Sequence, residues 1–434
     1  MRFDTAVADD TLARSLRPAA VDFSRLSREH GPLLQIVRLL IGVVPNCDPI
    51  LAIWPPGFRT YNLLVPHLLN LPFSVLGFGP PAVTLGLALC SASRAAQCAY
   101  CTAHTCSFTL RRGSSPQKLA GLLIPTEKAA VVAAEALASI PCSFTAEHRD
   151  ELLRHFSAAN AERIALGIAL MGFLNKFMDA VGVDLEEAAA EEAGAALQST
   201  GWTPGKHEVR DAPRTDPALQ ARPSGADTVV TKMTILRHLP GALRLDHAWT
   251  RGVPWRWPAV GRYLKEKTGH DFPVLAKIRS WRAVRAIATV LRDNLDASDS
   301  RIGLSVKALA GLVYASVVGN ETLAREARQL AARESPAMDT ATLDAIAAFA
   351  VEPFELEESE MAGALAHLEA LPGLGSEAAL ALLLAKAVSP SPARVPAPLI
   401  ARVSATLAPE AQVELVVWVA VQQMLHRLGS YLEA

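Results

Sequence analysis

The chain has 434 residues, which is enough for two to three domains and ample for a buried core. Half of the residues are hydrophobic and 20% are charged, so the composition predicts a helical globular protein. The 42 basic and 43 acidic residues nearly cancel. The chain therefore has no net positive charge to attract nucleic acid or an anionic membrane, and neither is expected as a partner.

The first ten residues are acidic where a signal peptide would be basic and apolar. The longest apolar stretches, residues 164–174 and 415–421, are shorter than the roughly 20 residues that a bilayer requires. The sequence therefore predicts a cytoplasmic protein with no membrane segment.

Helical periodicity dominates the first part of the chain. Apolar residues recur at helical spacing over residues 33–44, and Pro80 and Pro81 precede an almost wholly apolar segment at 82–93. Further helices are predicted over 126–138 and over 157–182, where one or two would fit. No convincing run of alternating strands is present, so we expect an all-α fold.

Residues 199–228 are rich in Pro, Gly and polar side chains, which is typical of a linker or a long surface loop. The earlier pattern then recurs in the same order, with 235–243 echoing 36–44 and 305–320 echoing 82–97. We interpret the chain as two tandem copies of one helical domain, 1–198 and 229–434, joined by this linker.

Residues capable of redox and proton-transfer chemistry are concentrated in the stretch Cys98-Ala-Tyr-Cys101-Thr-Ala-His104-Thr-Cys106. A Cys-x-x-Cys pair can cycle between dithiol and disulfide, and a nearby imidazole can exchange the proton that this chemistry needs. We predict a helix with Cys98 in its first turn that runs to about Arg111, because basic residues followed by Gly113 and Pro116 mark its end. Its N-terminus would favour a thiolate, and its three-residue spacing would group Cys98, Cys101 and His104. The second copy has Asn320, Leu323 and Glu326 at these three positions, and no cysteine at all.

The stretch from Ser93 to Cys106 resembles the signature of the carboxymuconolactone decarboxylase and AhpD-like (alkylhydroperoxidase) superfamily. The resemblance implies two tandem all-α domains, the second degenerate, and a thiol-dependent oxidoreductase of the peroxidase or disulfide reductase type. Cys101 would attack a small hydroperoxide, and Cys98 would resolve the product and face an external thiol reductant. His104 would act as base or acid. The resemblance also implies a homo-oligomer, and no cofactor is expected.

Two positions depart from the superfamily pattern. The peroxidase branch has a glutamate where this chain has Gly86, and a histidine where it has Thr105, one place after His104. An offset of one residue rotates a helical side chain by about 100°. The proton relay of the family is therefore incomplete, and we expect Tyr100 or a residue of the second copy as a substitute.

Three alternatives remain from the residues themselves. Cys98, Cys101, His104 and Cys106 are all ligand types that zinc accepts, although one helix cannot wrap a tetrahedral ion. A binding or redox-sensing protein without peroxidase turnover would also use the pair. A lyase or isomerase of the carboxymuconolactone decarboxylase type would use the pocket without redox chemistry.

Overall fold

A computed structural model describes residues 11–74, 76–210, 227–336, 338–353 and 358–434. Every regular element within these ranges is helical and none is a strand, so the all-α prediction is confirmed.

The first half contains eleven α-helices among its described residues. In chain order, α1 to α11 span Leu12–Leu16, Phe23–Ile41, Asp48–Leu51, Pro55–Leu68, Ala82–Ala95, Ala99–Arg111, Pro116–Leu119, Pro125–Ala138, Ala146–His155, Ala158–Val181 and Glu187–Ala196.

The second half contributes ten more within the described ranges. Helices α12 to α21 span Val229–Trp249, Ala259–Thr268, Trp281–Asn294, Leu304–Val317, Glu321–Glu334, Thr340–Val351, Glu358–Glu369, Ser376–Val388, Ala397–Thr406 and Pro409–Glu433. Short 3-10 turns at Arg17–Ala19, Gln198–Thr200, Gly205–His207 and Pro273–Lys277 connect some of them.

Local sequence signals explain the ends of the long central helix α10. The Ser157 hydroxyl accepts the Asn160 N–H at 3.4 Å and caps the first turn, and Gly182 adopts φ 69° directly after the last residue. The segment predicted as one or two helices over 157–182 is therefore a single helix of 24 residues.

This helix is also long and apolar enough, by length and composition, to cross a membrane, contrary to the expectation from the apolar run alone. In the fold, 94% of its most apolar window is buried. That burial is typical of a core helix, and α10 is the central helix of this core.

The two halves share one continuous hydrophobic core. Helix α2 packs on α12, α4 on α14, and α10 along α21. Gly172 permits a close approach of α10 and α21, because a Cβ there would lie 2.9 Å from the Gln423 carbonyl oxygen. The halves are thus packed against each other through these helix pairs.

The helices that precede and follow the thiol stretch recur in the second half with similar lengths. Helices α5 and α15 both have 14 residues, and α6 and α16 have 13 and 14. A left-handed residue, Gln97 at φ 56° or Gly319 at φ 67°, precedes the second helix of each pair. The division at residues 198 and 229 stays a prediction.

The beginning of the predicted linker is packed onto the first half. Trp202 is 9% exposed and its Nε1 donates to the Ala99 carbonyl at 3.3 Å, and His207 is 1% exposed. Residues 211–226 of the predicted linker lie outside the described residues. The segment 202–207 therefore covers the N-terminus of α6.

Candidate active site

Cys98 occupies the N-cap of α6 in extended conformation, at φ −89° and ψ 99°. Its Sγ accepts the Cys101 N–H at 3.4 Å, so the thiol satisfies one of the unpaired donors of the first helical turn. The positive end of the helix dipole favours negative charge at this position. The helix predicted to carry Cys98 in its first turn and to end near Arg111 is observed at Ala99–Arg111, with Cys98 as its N-cap.

The other side of Cys98 faces a charged group of side chains that the sequence did not predict. The His207 Nδ1 donates to the Val183 carbonyl at 2.7 Å, and its Nε2 lies 3.7 Å from Asp179 Oδ1. Asp179 also forms an ion pair with Lys206 at 2.9 Å. The His207 ring interacts with the Cys98 thiol as well. Cys98, His207 and Asp179 are thus grouped together at the N-terminus of α6.

These neighbours decide which thiol ionises first. Burial alone would raise the pKa of Cys98, but the hydrogen bond from Cys101 and the interaction with His207 lower it to about 6. Burial raises the pKa of Cys101 well above its usual value, and the neighbouring Cys98 thiolate raises it further. The resting pair is therefore a Cys98 thiolate beside a neutral Cys101 thiol.

His207 is the matching cation. Burial alone would lower its pKa, but Asp179 and the Cys98 thiolate raise it to about 9. Asp179 has its pKa lowered despite its burial, by Lys206 and His207. Near neutral pH, therefore, Cys98 is a thiolate, His207 an imidazolium and Asp179 a carboxylate, and the cation lies beside both anions.

Cys101 lies on the opposite side, at the wall of a cavity of about 80 Å³. The wall is almost wholly apolar and is formed by α2, α4, α6 and α10. Its polar members are Cys47, Tyr61, Tyr100, Cys101, His104 and Thr105. A cavity of this size and lining takes a small apolar group rather than an ion.

His104 lines the same cavity and is held by two partners. Its Nδ1 lies 2.9 Å from the Tyr100 carbonyl, and its Nε2 lies 2.8 Å from Glu186 Oε2. The other oxygen of Glu186 accepts the Tyr100 hydroxyl at 2.9 Å and the Asn46 N–H at 2.6 Å. Burial opposes protonation of His104, but Glu186 outweighs it and raises the pKa. The raised pKa keeps a proton on His104 at the cavity wall, and its Nε2–H would have to turn from Glu186 to reach a molecule in the cavity.

The structure shows why Gly86 and Thr105 do not take part in the site. A Cβ at Gly86 would lie 2.6 Å from Thr109 Oγ1 and 3.1 Å from the Thr109 Cα, so α5 packs too closely on α6 for a glutamate. The Thr105 hydroxyl donates to the Cys101 carbonyl at 2.6 Å and stays on its own helix. The carboxylates near the thiols are instead Glu186 and Asp179, from α10 and the segment that follows it.

The predicted residues Cys98, Cys101 and His104 are brought together as expected, but Cys98 is 0% exposed. The expectation that Cys98 is open to an external reductant is wrong for this conformation, because residues 202–207 cover it. Asp179, Glu186 and His207 were missed. His207 lies in a breaker-rich stretch that looks like a linker, and no local pattern distinguishes it from a solvated histidine.

Cys106 does not join the other thiols. It lies beside Cys90, on a different face of α6, and burial raises the pKa of both thiols. Within the ranges that the structure describes, no group of three His, Cys, Asp or Glu side chains is arranged to hold a metal ion.

No family model and no curated relative matches the chain. Among solved structures, the debrominase Bmp8 without ligand is similar, with 23% identity and a TM-score of 0.37 over 41% of this chain and 96% of that one. A cysteine-to-alanine variant of Bmp8 in complex with 2,3,4-tribromopyrrole is also similar, with 22% identity and a TM-score of 0.37 over 41% and 95%. Both are structures of an enzyme.

Proposed function

We propose that this chain is a thiol oxidoreductase that reduces small apolar hydroperoxides at the Cys98–Cys101 pair. The observation that carries the proposal is the position of the pair between two unlike environments. Cys98 faces the charged His207–Asp179 group, and Cys101 faces the apolar cavity beside His104. A stored thiolate, a substrate cavity and a proton donor are the parts that peroxide reduction needs.

The proposed reaction begins at Cys101, which is the thiol on the cavity wall. Cys101 passes its proton to the neighbouring Cys98 thiolate and attacks the terminal peroxide oxygen. A sulfur–oxygen bond forms and the O–O bond breaks, giving a Cys101 sulfenic acid and an alkoxide. His104 protonates the alkoxide to the alcohol.

The second step closes the disulfide. The Cys98 thiol attacks the sulfenic sulfur, its proton leaves with the hydroxide as water, and the pair ends as a disulfide. One hydroperoxide, the Cys101 thiol, the Cys98 thiolate and the His104 proton therefore give one alcohol, one water and one disulfide. An external dithiol then reduces the disulfide by exchange, a step that needs access to a sulfur.

Single-turnover kinetics with the reduced full-length protein tests the proposal. We expect one disulfide per alkyl hydroperoxide consumed, and a loss of at least 100-fold in rate for Cys101→Ser, because the sulfenic acid cannot form. Cys106→Ser, which changes a buried thiol away from the cavity, is the matched control and should keep the rate.

Three outcomes would contradict the proposal. Unchanged hydroperoxide consumption in Cys101→Ser would place the chemistry elsewhere. Turnover of a lactone or other non-redox substrate that survives replacement of both thiols would indicate a lyase or isomerase. Formation of the disulfide without catalytic turnover would indicate a sensor.

A further inference from the structure

A loop of the second half reaches the charged side of the thiol pair. This loop, residues 389–393, belongs to the connection between α19 and α20 and contacts α10 through Lys176. The Lys176 amine donates to the Ser389 carbonyl at 2.7 Å, the Pro390 carbonyl at 2.5 Å and the Ser391 hydroxyl at 3.1 Å. Lys176 is 1% exposed, and all three of these acceptors lie in the 389–393 loop.

The last residue of the loop holds Asp179 directly. The Ala393 N–H donates to Asp179 Oδ2 at 2.5 Å, while Lys206 lies 2.9 Å from Asp179 Oδ1. Lys206 also donates to the Ala393 carbonyl at 3.1 Å, so it ties the same peptide segment to the same carboxylate. Both oxygens of this buried carboxylate are therefore fixed, one of them by backbone of the second half.

We propose that the 389–393 loop is a positioning element of the thiol site, which holds Asp179 and thereby His207 in place behind Cys98. The proposal deepens the function proposed above, on which it rests. It gives the half without cysteines a definite part in the site: it supplies a backbone donor that the first half lacks. The two halves together then make one redox site.

The position of Asp179 affects the pKa of Cys98 through His207. A fixed Asp179 carboxylate keeps His207 protonated, and the imidazolium stabilises the Cys98 thiolate. The direct repulsion between Asp179 and Cys98 acts in the opposite direction, but it is weaker than either effect of His207. Loosening Asp179 should therefore raise the pKa of Cys98.

Other charged or titratable groups also face this group of side chains. They are Tyr100, Cys101 and His104 on α6, Lys176 on α10, Asp184 after α10, Lys206 in the 3-10 turn Gly205–His207, and Arg427 on α21. A test must leave these groups unchanged, so it should alter only the backbone of the loop.

The pair of variants Ala393→Pro and Ala393→Gly meets this condition. Proline removes the N–H donated to Asp179, whereas glycine keeps it, and neither changes a charge. The measurement is the ultraviolet absorbance of thiolate as a function of pH in the reduced full-length protein, from which the curve of Cys98→Ser is subtracted, because it needs no reagent to reach the buried Cys98. We expect a midpoint about one pH unit higher in Ala393→Pro, equal to about tenfold less thiolate below the midpoint. Ala393→Gly should match the wild type.

A second pair keeps the test decisive if Ala393→Pro does not fold. One glycine inserted after Ser391 shifts the Ala393 N–H, and one glycine inserted after Cys142 alters the corresponding loop between α8 and α9. We expect an upward shift only for the first insertion. Equal midpoints in the folded members of both pairs, or a downward shift, would overturn the proposal. The readout needs no peroxide, so it is independent of whether the proposed turnover occurs.

Discussion

At the scale of single residues, the site depends on the unlike surroundings of two neighbouring cysteines. Cys98 caps α6 and lies beside His207, whereas Cys101 faces an apolar cavity. Burial disfavours any thiolate, so the one that persists must be the one with a cation and a backbone donor. The negative charge is therefore on Cys98, whereas Cys101 is the thiol that lines the cavity.

The first prediction concerns the pH dependence of Cys98. Its thiolate forms as the pH rises through about 6, and the His207 imidazolium is lost as the pH rises through about 9. The ion pair therefore exists between these values. The thiolate absorbance that Cys98 contributes should rise with a midpoint near the lower value, and His207→Gln should raise that midpoint by at least one pH unit.

The exposed His155 supplies the control for this measurement. It pairs with Glu151 on α9, away from the thiols, so His155→Gln should leave the Cys98 midpoint unchanged. A His207→Gln profile that coincides with wild type would mean that His207 does not set the acidity of Cys98.

At the scale of elements, the close packing of α5 on α6 decides which positions can carry a side chain towards the thiols. Gly86 lies against Thr109, and this contact leaves no volume for a side chain. The carboxylates reach the thiols from α10 and its following segment instead, through Asp179 and Glu186. This helix contact thus excludes a carboxylate at position 86, and the carboxylates near the thiols come from other elements.

The second prediction tests this contact by stability. Gly86→Ala should lower the free energy of unfolding by about 1–3 kcal/mol, because the Cβ meets the α6 backbone and forces the helices apart. Gly194→Ala on the exposed face of α11 meets nothing within 4 Å and should raise it by about 0.5–1 kcal/mol. Urea titration of both variants measures the two free energies, and a stabilised Gly86→Ala would contradict the packing argument.

At the scale of the whole molecule, the two halves are coupled by packing, and the second half contains a buried ion pair of its own. Helices α10 and α21 lie together in one core, and a buried ion pair sits inside the second half, with Lys307 Nζ 2.6 Å from Glu414 Oε1. Glu414 also accepts the Arg301 N–H at 2.6 Å and so caps the segment that precedes α15. A core shared in this way predicts that neither half unfolds alone.

The third prediction follows from that coupling. Lys307→Met leaves Glu414 buried without its cation and should lower the free energy of unfolding by about 3–5 kcal/mol. We expect calorimetry to give a single transition in wild type and variant, displaced as a whole to lower temperature. Two separate transitions, with one unmoved, would show that the halves unfold independently.

Much of the site can be predicted from the sequence because it depends on residues that are close together along the chain. A cysteine pair three residues apart, a histidine three further on, and basic residues followed by Gly113 are enough to predict a thiol-bearing helix with the ends that are observed. Helical periodicity also predicted an all-α chain. These features depend on the hydrogen-bond pattern of consecutive residues, which the order of the residues fixes.

What only the tertiary structure decided are the partners that arrive from far along the chain. His207 comes from a segment with the composition of a linker, Glu186 from a segment with no distinctive pattern, and the Ala393 N–H from the other half. The burial of Cys98, the choice of thiolate and the cavity at Cys101 all depend on these long-range contacts. Acidity and access are set by what surrounds a thiol in space, and a sequence pattern records only what is next to it along the chain.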